Sequence, residues 1–521
     1  MHDFVNPVER LAVVRLLEFL SERTPWYRSL WGIGVVLAME ELYEACTAMR
    51  QGHLSEVAVK RMGASLQRRV GRDPAFTDAE KQFFQRQISQ VPRPDGVAHF
   101  GIRELSERVA LDYVERTGRA VDAGRFTVEH FARGIAAHLL DAGFSAKYLH
   151  GFIKTWLDGA SSPSLPQLCD ALQREVASSP VREFEVLLAF ATAPARPNAV
   201  SGSWLSGAAV TGWLQQHGFD TAGVRSPAAT ILKVHARDAM GAAQAARNEA
   251  DRFASRTLIA TGKPLKRIPM LWVRGSDAPE PMEGARRGVS VKELLRGDRV
   301  FSSDASNSVD AALELMAHLE ESSPPAAIAG GWAAIEGLLA DPHDRASAAD
   351  NLAALVTCSF PRAELTALSY RAQQHHPDHC ADLAEASTNR ERCHILASMM
   401  IDQRLPQMPR ISDQAAVDRL TKLFRDPGPE LLTIREAIGE SFHRLYRQRN
   451  LILHGARLDS VALTASLRTA AKLAGAGMDR ITHGHYVQHR RPRELVARAN
   501  LAIALVSRES PLACVDLLED D

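Results

Sequence analysis

Between residues 447 and 455 the chain reads Arg-Gln-Arg-Asn-Leu-Ile-Leu-His-Gly. On an α-helix, Arg449 and His454 stand within about 140° of each other and about one and a half turns apart along the axis. Asn450 and His454 are i,i+4 and share a face, and Arg447 shares one with His454 at i,i+7. An Arg, an Asn and a His can therefore converge on one small site, while Leu451 and Leu453 pack elsewhere. This set suits cleavage of RNA, in which an internal 2′-hydroxyl attacks the neighbouring phosphodiester without a metal. The reaction needs a proton shuttle, which an imidazole with a pKa of about 6.5 supplies. It also needs a cation on the phosphate, and a guanidinium presents fixed donors to charge as it develops. Asn450 can hold an oxygen or orient the imidazole. The plainer reading of the same residues is a helix end, with Arg and His favouring the dipole and Gly455 as C-cap.

Two other stretches carry chemistry-bearing types. His483-Gly-His-Tyr486-Val-Gln-His489-Arg490-Arg491-Pro-Arg493 is basic with an interleaved aromatic. As a loop near the first site it could hold an RNA backbone, with Tyr486 stacking on a base, or it could simply be solvated. His375, His376, His379, Cys380, Cys393 and His394 are of types that bind zinc, but their spacings match no common module, and a polar loop with unrelated thiols reads better. Arg468 and Lys472 share a helix face and read as solvent-facing. Ala260-Thr-Gly-Lys263 has a lysine but not the spaced glycines of a phosphate loop.

The elements around these residues are mostly helical. Residues 1–175 show helical apolar spacing, as in Leu11, Val14, Leu17 and Leu20. Thr24–Pro25 predicts a helix start running on to about Met49, and Thr77 with Glu80 predicts a capping box. Between 176 and 275 the pattern changes: Phe184–Phe190, Thr230–His235 and Ile268–Val273 read as strands, separated by helices over Trp204–Gln216 and from Asp238 onward. That order implies a small α/β unit. Residues 276–307, with Pro279, Pro281, Gly284 and Gly288, read as a linker or irregular crossing. From 308 to 521 the chain is helical again, with breaks expected at Phe360–Pro361 and at Gly475 and Gly477. The fold class is thus mainly α, with a helical N-terminal region, a small α/β unit in the middle and a C-terminal helical bundle.

Composition bounds the partners. In 521 residues, Lys+Arg and Asp+Glu are both 62, so no global basic field advertises a nucleic acid. The six cysteines are scattered without a CxxC pair, and the N-terminus lacks a basic region followed by an apolar run, which together point to reduced thiols in a cytoplasm. The apolar stretch from Trp31 to Met39 is too short to cross a bilayer and reads as a buried helix, so no membrane partner is expected.

Arg449, Asn450 and His454 resemble the RX4-6H motif of HEPN (higher eukaryotes and prokaryotes nucleotide-binding) ribonucleases, and Arg447 also satisfies its spacing. Trp332-Ala-Ala-Ile-Glu336 looks like the Trp-x-x-x-Glu helix of the Apea-like HEPN group; Phe360-Pro-Arg362 and Ser510-Pro-Leu512 look similar to it too. The resemblance covers residues 305–521 well, the α/β unit loosely and residues 1–175 not at all. It implies a helical bundle and a homodimer with two motifs in one composite site. It further implies cofactor-free and metal-independent cleavage of RNA to 2′,3′-cyclic or 3′-phosphate ends, with Glu336 as a polar partner of the motif. Family members serve antiviral defence, act as toxins or process RNA, so a regulatory protein or antitoxin is a further expected partner. Two alternatives stay open: a HEPN-fold module that binds RNA or a nucleotide, or dimerises, without cleaving; and an interaction protein working through its N-terminal half.

Overall fold

The structure, a computed structural model, describes residues 6–193, 204–304 and 306–519. Residues 1–5, Ala305 in the expected linker and the last two residues of the helical C-terminal segment lie outside the described residues.

Helices α1 (Pro7–Phe19), α2 (Val35–Arg50), α3 (Glu56–Arg72), α4 (Asp78–Gln87), α5 (Val97–Asp122), α6 (Val128–Asp141), α7 (Ala146–Gly159) and α8 (Leu165–Ser178) form the N-terminal region. Several begin where a short polar side chain satisfies a first-turn N–H: Asn6, Ser55, Thr127, Ser145 and Ser164 all do so. Thr77 and Glu80 close the capping box. Thr24–Pro25, however, opens no long helix. Thr24 Oγ1 donates to the Glu18 carbonyl at 2.6 Å, Trp26–Arg28 make a single 3-10 turn, and α2 starts only at Val35. The C-terminal bundle pulls this stretch out of line. Arg28 meets the buried carboxylates of Glu364 at 2.5 Å and Asp413 at 3.2 Å, and Trp31 enters the bundle's core. Tertiary partners here outweigh the local start signal.

The α/β unit has strands β1 (Arg182–Phe190), β2 (Trp204–Ser206), β3 (Ala228–Ala236), β4 (Arg267–Val273) and β5 (Glu280–Pro281), in the order β2-β3-β1-β4-β5 with antiparallel neighbours. Successive β1 side chains point to opposite faces. Phe184, Val186 and Leu188 meet the alanine face of α10 (Ala239–Thr261), while Leu187 and Ala189 meet Trp213 and Leu214 of α9 (Gly207–Gln216). Gly262, beside Lys263, is the left-handed cap of α10 at φ 68°.

Residues 276–307 are an irregular crossing held at many points, among them α11 (Glu293–Arg296). Arg287 donates to the Leu319 and Ser322 carbonyls, and the amides of Val289 and Glu293 donate to Glu320 and Asp479. The bundle follows: α12 (Ser308–Glu321), α13 (Pro324–Leu339), α14 (Ser347–His375), α15 (Asp382–Glu385), α16 (Asn389–Ile401), α17 (Ile411–Arg425), α18 (Pro427–Gly455), α19 (Leu463–Tyr486) and α20 (Pro492–Leu505).

Two expected breaks are absent. Helix α14 runs through Pro361, which is buried among neighbouring helices; their packing offsets the one ladder bond that proline cannot make. Helix α19 runs through Gly475 and Gly477 because those glycines admit neighbours. A Cβ on Gly475 would stand 2.6 Å from the Ser290 amide, and one on Gly477 would collide with Leu352 Cδ1. Gly477→Ala is therefore expected to destabilise the fold by roughly 1–3 kcal/mol, although alanine is the better helix former. A denaturant midpoint equal to or above wild type would contradict this packing.

The N-terminal region and the bundle share cores. Trp31 lies in the bundle's cluster, and Leu451 and Ala465 lie in that of α2, α3 and α5. Among the described residues no helix is long and apolar enough to cross a membrane.

Candidate active site

The site forms where α13 runs beside α18. Pro324 stands in the first turn of α13, and Gly330 and Gly331 let α12 approach closely: a Cβ on either would come within 2.9 to 3.0 Å of His318 or Leu319. This packing fixes the opposite face of α13, where Trp332 and Glu336 are one turn apart. Trp332 meets Tyr446 of α18 with ring centroids 4.9 Å apart, and its Nε1 donates to Glu336 Oε2 at 2.6 Å. The same carboxylate lies 3.5 Å from Arg449 Nη2, one turn beyond Tyr446. Arg449 Nη1 then donates to Asn450 Oδ1 at 2.9 Å and lies 3.4 Å from His454 Nε2.

A guanidinium has no acceptor, so this last contact is a hydrogen bond when His454 Nε2 presents its lone pair. Asn450 is buried, Arg449 and Glu336 are half-buried, and His454 is exposed. The arrangement sets a proton acceptor beside a fixed cation at the surface. It matches the needs of phosphodiester attack by a 2′-hydroxyl: the base on the nucleophile, the cation on the phosphate.

The structure thus gathers Glu336, Arg449, Asn450 and His454. It does not bring Arg447 to them. Arg447 is buried and turned the opposite way, with Nη2 at 3.0 Å from Glu41 Oε1 on α2; Arg444, one turn earlier, meets the other oxygen of Glu41 at 3.0 Å. Burial works against the charged Glu41, yet the two guanidinium groups hold its carboxyl below the usual range. Arg447 is a structural residue and cannot contact RNA as placed. The helix also ends one residue later than read, with Ala456 rather than Gly455 in the left-handed cap at φ 49°.

The basic segment approaches the site at its far end, where Arg493 donates to the Ala340 carbonyl, one turn past Glu336. His483, His485 and Tyr486 continue α19 rather than forming a loop. Tyr486 lies about 30 Å along α19 from Ala465, which shares a core with Leu451. Its hydroxyl donates to Asp310 at 2.5 Å, and the Arg299 guanidinium covers its ring at 4.1 Å. Burial and the Asp310 carboxylate push that hydroxyl up to about 12. Arg490 pairs with Glu494 at 2.6 Å, and His489 and Arg491 are exposed beside the start of α20. Arg468 and Lys472, read as solvent-facing, are tied to the N-terminal region. Arg468 meets Asp141 at 2.5 Å and Lys472 donates to the Glu22 and Thr24 carbonyls. His394 bonds Asp516 and His376 the Gln407 carbonyl; among the described residues no three metal-ligating side chains gather.

No family model, no curated protein and no solved structure matches this chain. What the site can do is carried by its geometry. One group near it gave no signal in the sequence. His53, after α2, reaches the end of α18, where a Cβ on Gly455 would stand 2.8 Å from its Nδ1; that nitrogen has no hydrogen-bond partner among the described residues. Only the tertiary fold brings a residue so distant in sequence to the motif.

Proposed function

We propose that this chain is a metal-independent endoribonuclease of HEPN type. The observation that supports it is the Arg449 guanidinium, braced by Glu336 and set 3.4 Å from His454 Nε2. His454 takes the proton of the 2′-hydroxyl as that oxygen attacks phosphorus, and Arg449 stabilises the added negative charge. The 5′-oxygen leaves with a proton from an imidazolium. One fragment then ends in a 2′,3′-cyclic phosphate and the other in a 5′-hydroxyl. A second motif across a two-fold axis supplies the second imidazole, making the site a property of the homodimer. In a cell such an activity serves antiviral defence or acts as a toxin.

The test is a mixed RNA pool incubated with the purified chain and EDTA, followed by end mapping. Cleavage to cyclic or 3′-phosphate ends is expected, with none in fully 2′-O-methylated RNA. Cleavage abolished by EDTA, or binding without cleavage, would sink the enzyme; the latter would leave a binding module.

Leu453, Leu458 and Val461 flank His454, and each is about half exposed. They offer a second copy an apolar surface around the motif. Leu453→Asp is expected to convert a dimer to a monomer by light scattering and to lower cleavage with it. A wild type that is monomeric yet fully active would contradict the composite site.

A further inference from the structure

Between the N-terminal region and the bundle lies a cavity of roughly 510 Å³, within the range of small-molecule sites. It is walled by α3 and α6 on one side and by α17 and α18 on the other. Eight of its lining residues are Arg or Lys and five are Asp or Glu. Most of the carboxylates are already engaged. Glu129 meets Arg15 at 2.7 Å, Arg133 at 3.2 Å and Arg419 at 3.3 Å, and Glu430 meets Lys422 at 2.7 Å. Burial disfavours the charged Glu129, yet these arginines hold its pKa down at about 2.

Three arginines keep donors beyond their present contacts. Arg69 donates only to the Ile33 carbonyl, at 2.5 Å. Arg72 makes no ion pair or hydrogen bond among the described residues. Arg444, 3% exposed, keeps a buried Nη1 with no partner. Burial pushes the Arg69 guanidinium below its ordinary value and the neighbouring Arg444 cation adds to this. A buried donor left without a partner, as Arg444 Nη1 is, is costly, and an anion bound beside it, within reach of Arg69 and the exposed Arg72, relieves the cost. The wall also carries aromatic surface from Tyr27, Trp31, Tyr113 and Phe360. Trp31 forms part of it, with the Arg133 guanidinium laid over its ring at 5.1 Å. On α18, Glu436, which lies 3.7 Å from Arg68, and Glu440 can accept N–H or O–H groups.

We propose that this cavity is a binding site for a small phosphate monoester carrying a planar ring, of the nucleoside monophosphate class. Arg69, Arg72 and Arg444 hold the phosphate, the ring stacks at Arg133 and Trp31, and the α18 carboxylates take its amino or hydroxyl groups. The site is separate from the Arg449–His454 cluster and stands whether or not that cluster cuts RNA. Because Arg444 shares Glu41 with Arg447, an occupant presses on the same helix that carries the motif.

The experiment is titration calorimetry on the full chain with AMP, GMP, CMP and UMP, against adenosine and inorganic phosphate. At least one monophosphate is expected to bind with a Kd below about 1 mM, about tenfold or more tighter than phosphate alone. Adenosine is expected to show no binding. Arg72→Glu, at an exposed and unpaired position, is expected to weaken binding about tenfold with an unchanged melting temperature, and Arg69→Gln to weaken binding similarly. Failure of all four monophosphates, phosphate binding as tightly as any of them, or affinity undiminished in Arg72→Glu would each overturn the proposal.

Discussion

His454→Ala is expected to lower RNA cleavage by a factor of about 10² to 10⁴, the usual contribution of a positioned proton-transfer group. Arg449→Ala is expected to lose about 10² to 10³, as when one donor to a developing oxyanion is removed. The two substitutions should differ in their structural side effects. His454 is exposed and its ring lies against Arg449 Nη1, so its loss should leave the denaturation midpoint unchanged. Arg449 neutralises Glu336, which keeps Trp332 Nε1 and Arg345 as partners, so a modest loss of stability is expected there. Arg449→Lys is a useful third variant. A lysine retains the charge but not the fork that reaches Glu336, Asn450 and His454 together, so its activity should stay low. Rates are compared in EDTA on one RNA pool. Undiminished cleavage by His454→Ala would remove this residue from the chemistry, and undiminished cleavage by Arg449→Lys would reduce Arg449 to a diffuse charge.

Much of this site was legible in the sequence because it is built from two helices with short internal spacings. Trp332 and Glu336 are one turn apart on α13, and Arg449, Asn450 and His454 lie within six residues of α18. Spacing on a helix fixes which side chains share a face. What spacing leaves open is which face meets which neighbour. Arg447 satisfied the motif as well as Arg449 did, and only Glu41 on α2 decides between them. The same limit explains the other departures. Gly475 and Gly477 read as helix breakers from propensity, whereas the crossing at Ser290 and the side chain of Leu352 need them as gaps. Thr24–Pro25 reads as a helix start until Arg28 finds Glu364 and Asp413. Each depends on a contact between residues far apart in the chain, to which local periodicity is blind. The strands Phe184–Phe190, Thr230–His235 and Ile268–Val273 were readable, but their antiparallel order was not, since element sequence alone does not fix pairing.

The division of labour on α18 leads to the largest expected effect on stability. Arg444 and Arg447 lie on one face, one turn apart, and both depend on Glu41, which is 4% exposed. Glu41→Gln nearly preserves the shape but removes the charge that balances two buried guanidinium groups. Breaking a buried ion pair by removing one partner typically costs about 3–5 kcal/mol, because the remaining charge is left uncompensated. A loss of that order is expected in urea denaturation of Glu41→Gln. Replacing all three residues together by apolar side chains of similar volume should recover most of it, since no charge then remains buried. The consequence extends to activity. The Glu41 anchor fixes the rotation of α18 against α2, and with it the side on which Arg449 faces Glu336. Glu41→Gln should therefore lower cleavage in protein that is still folded, while the triple apolar variant should restore stability and activity together. A Glu41→Gln protein as stable as wild type would mean that Arg444 and Arg447 are solvated, and the account of why Arg449 rather than Arg447 serves the site would fall with it.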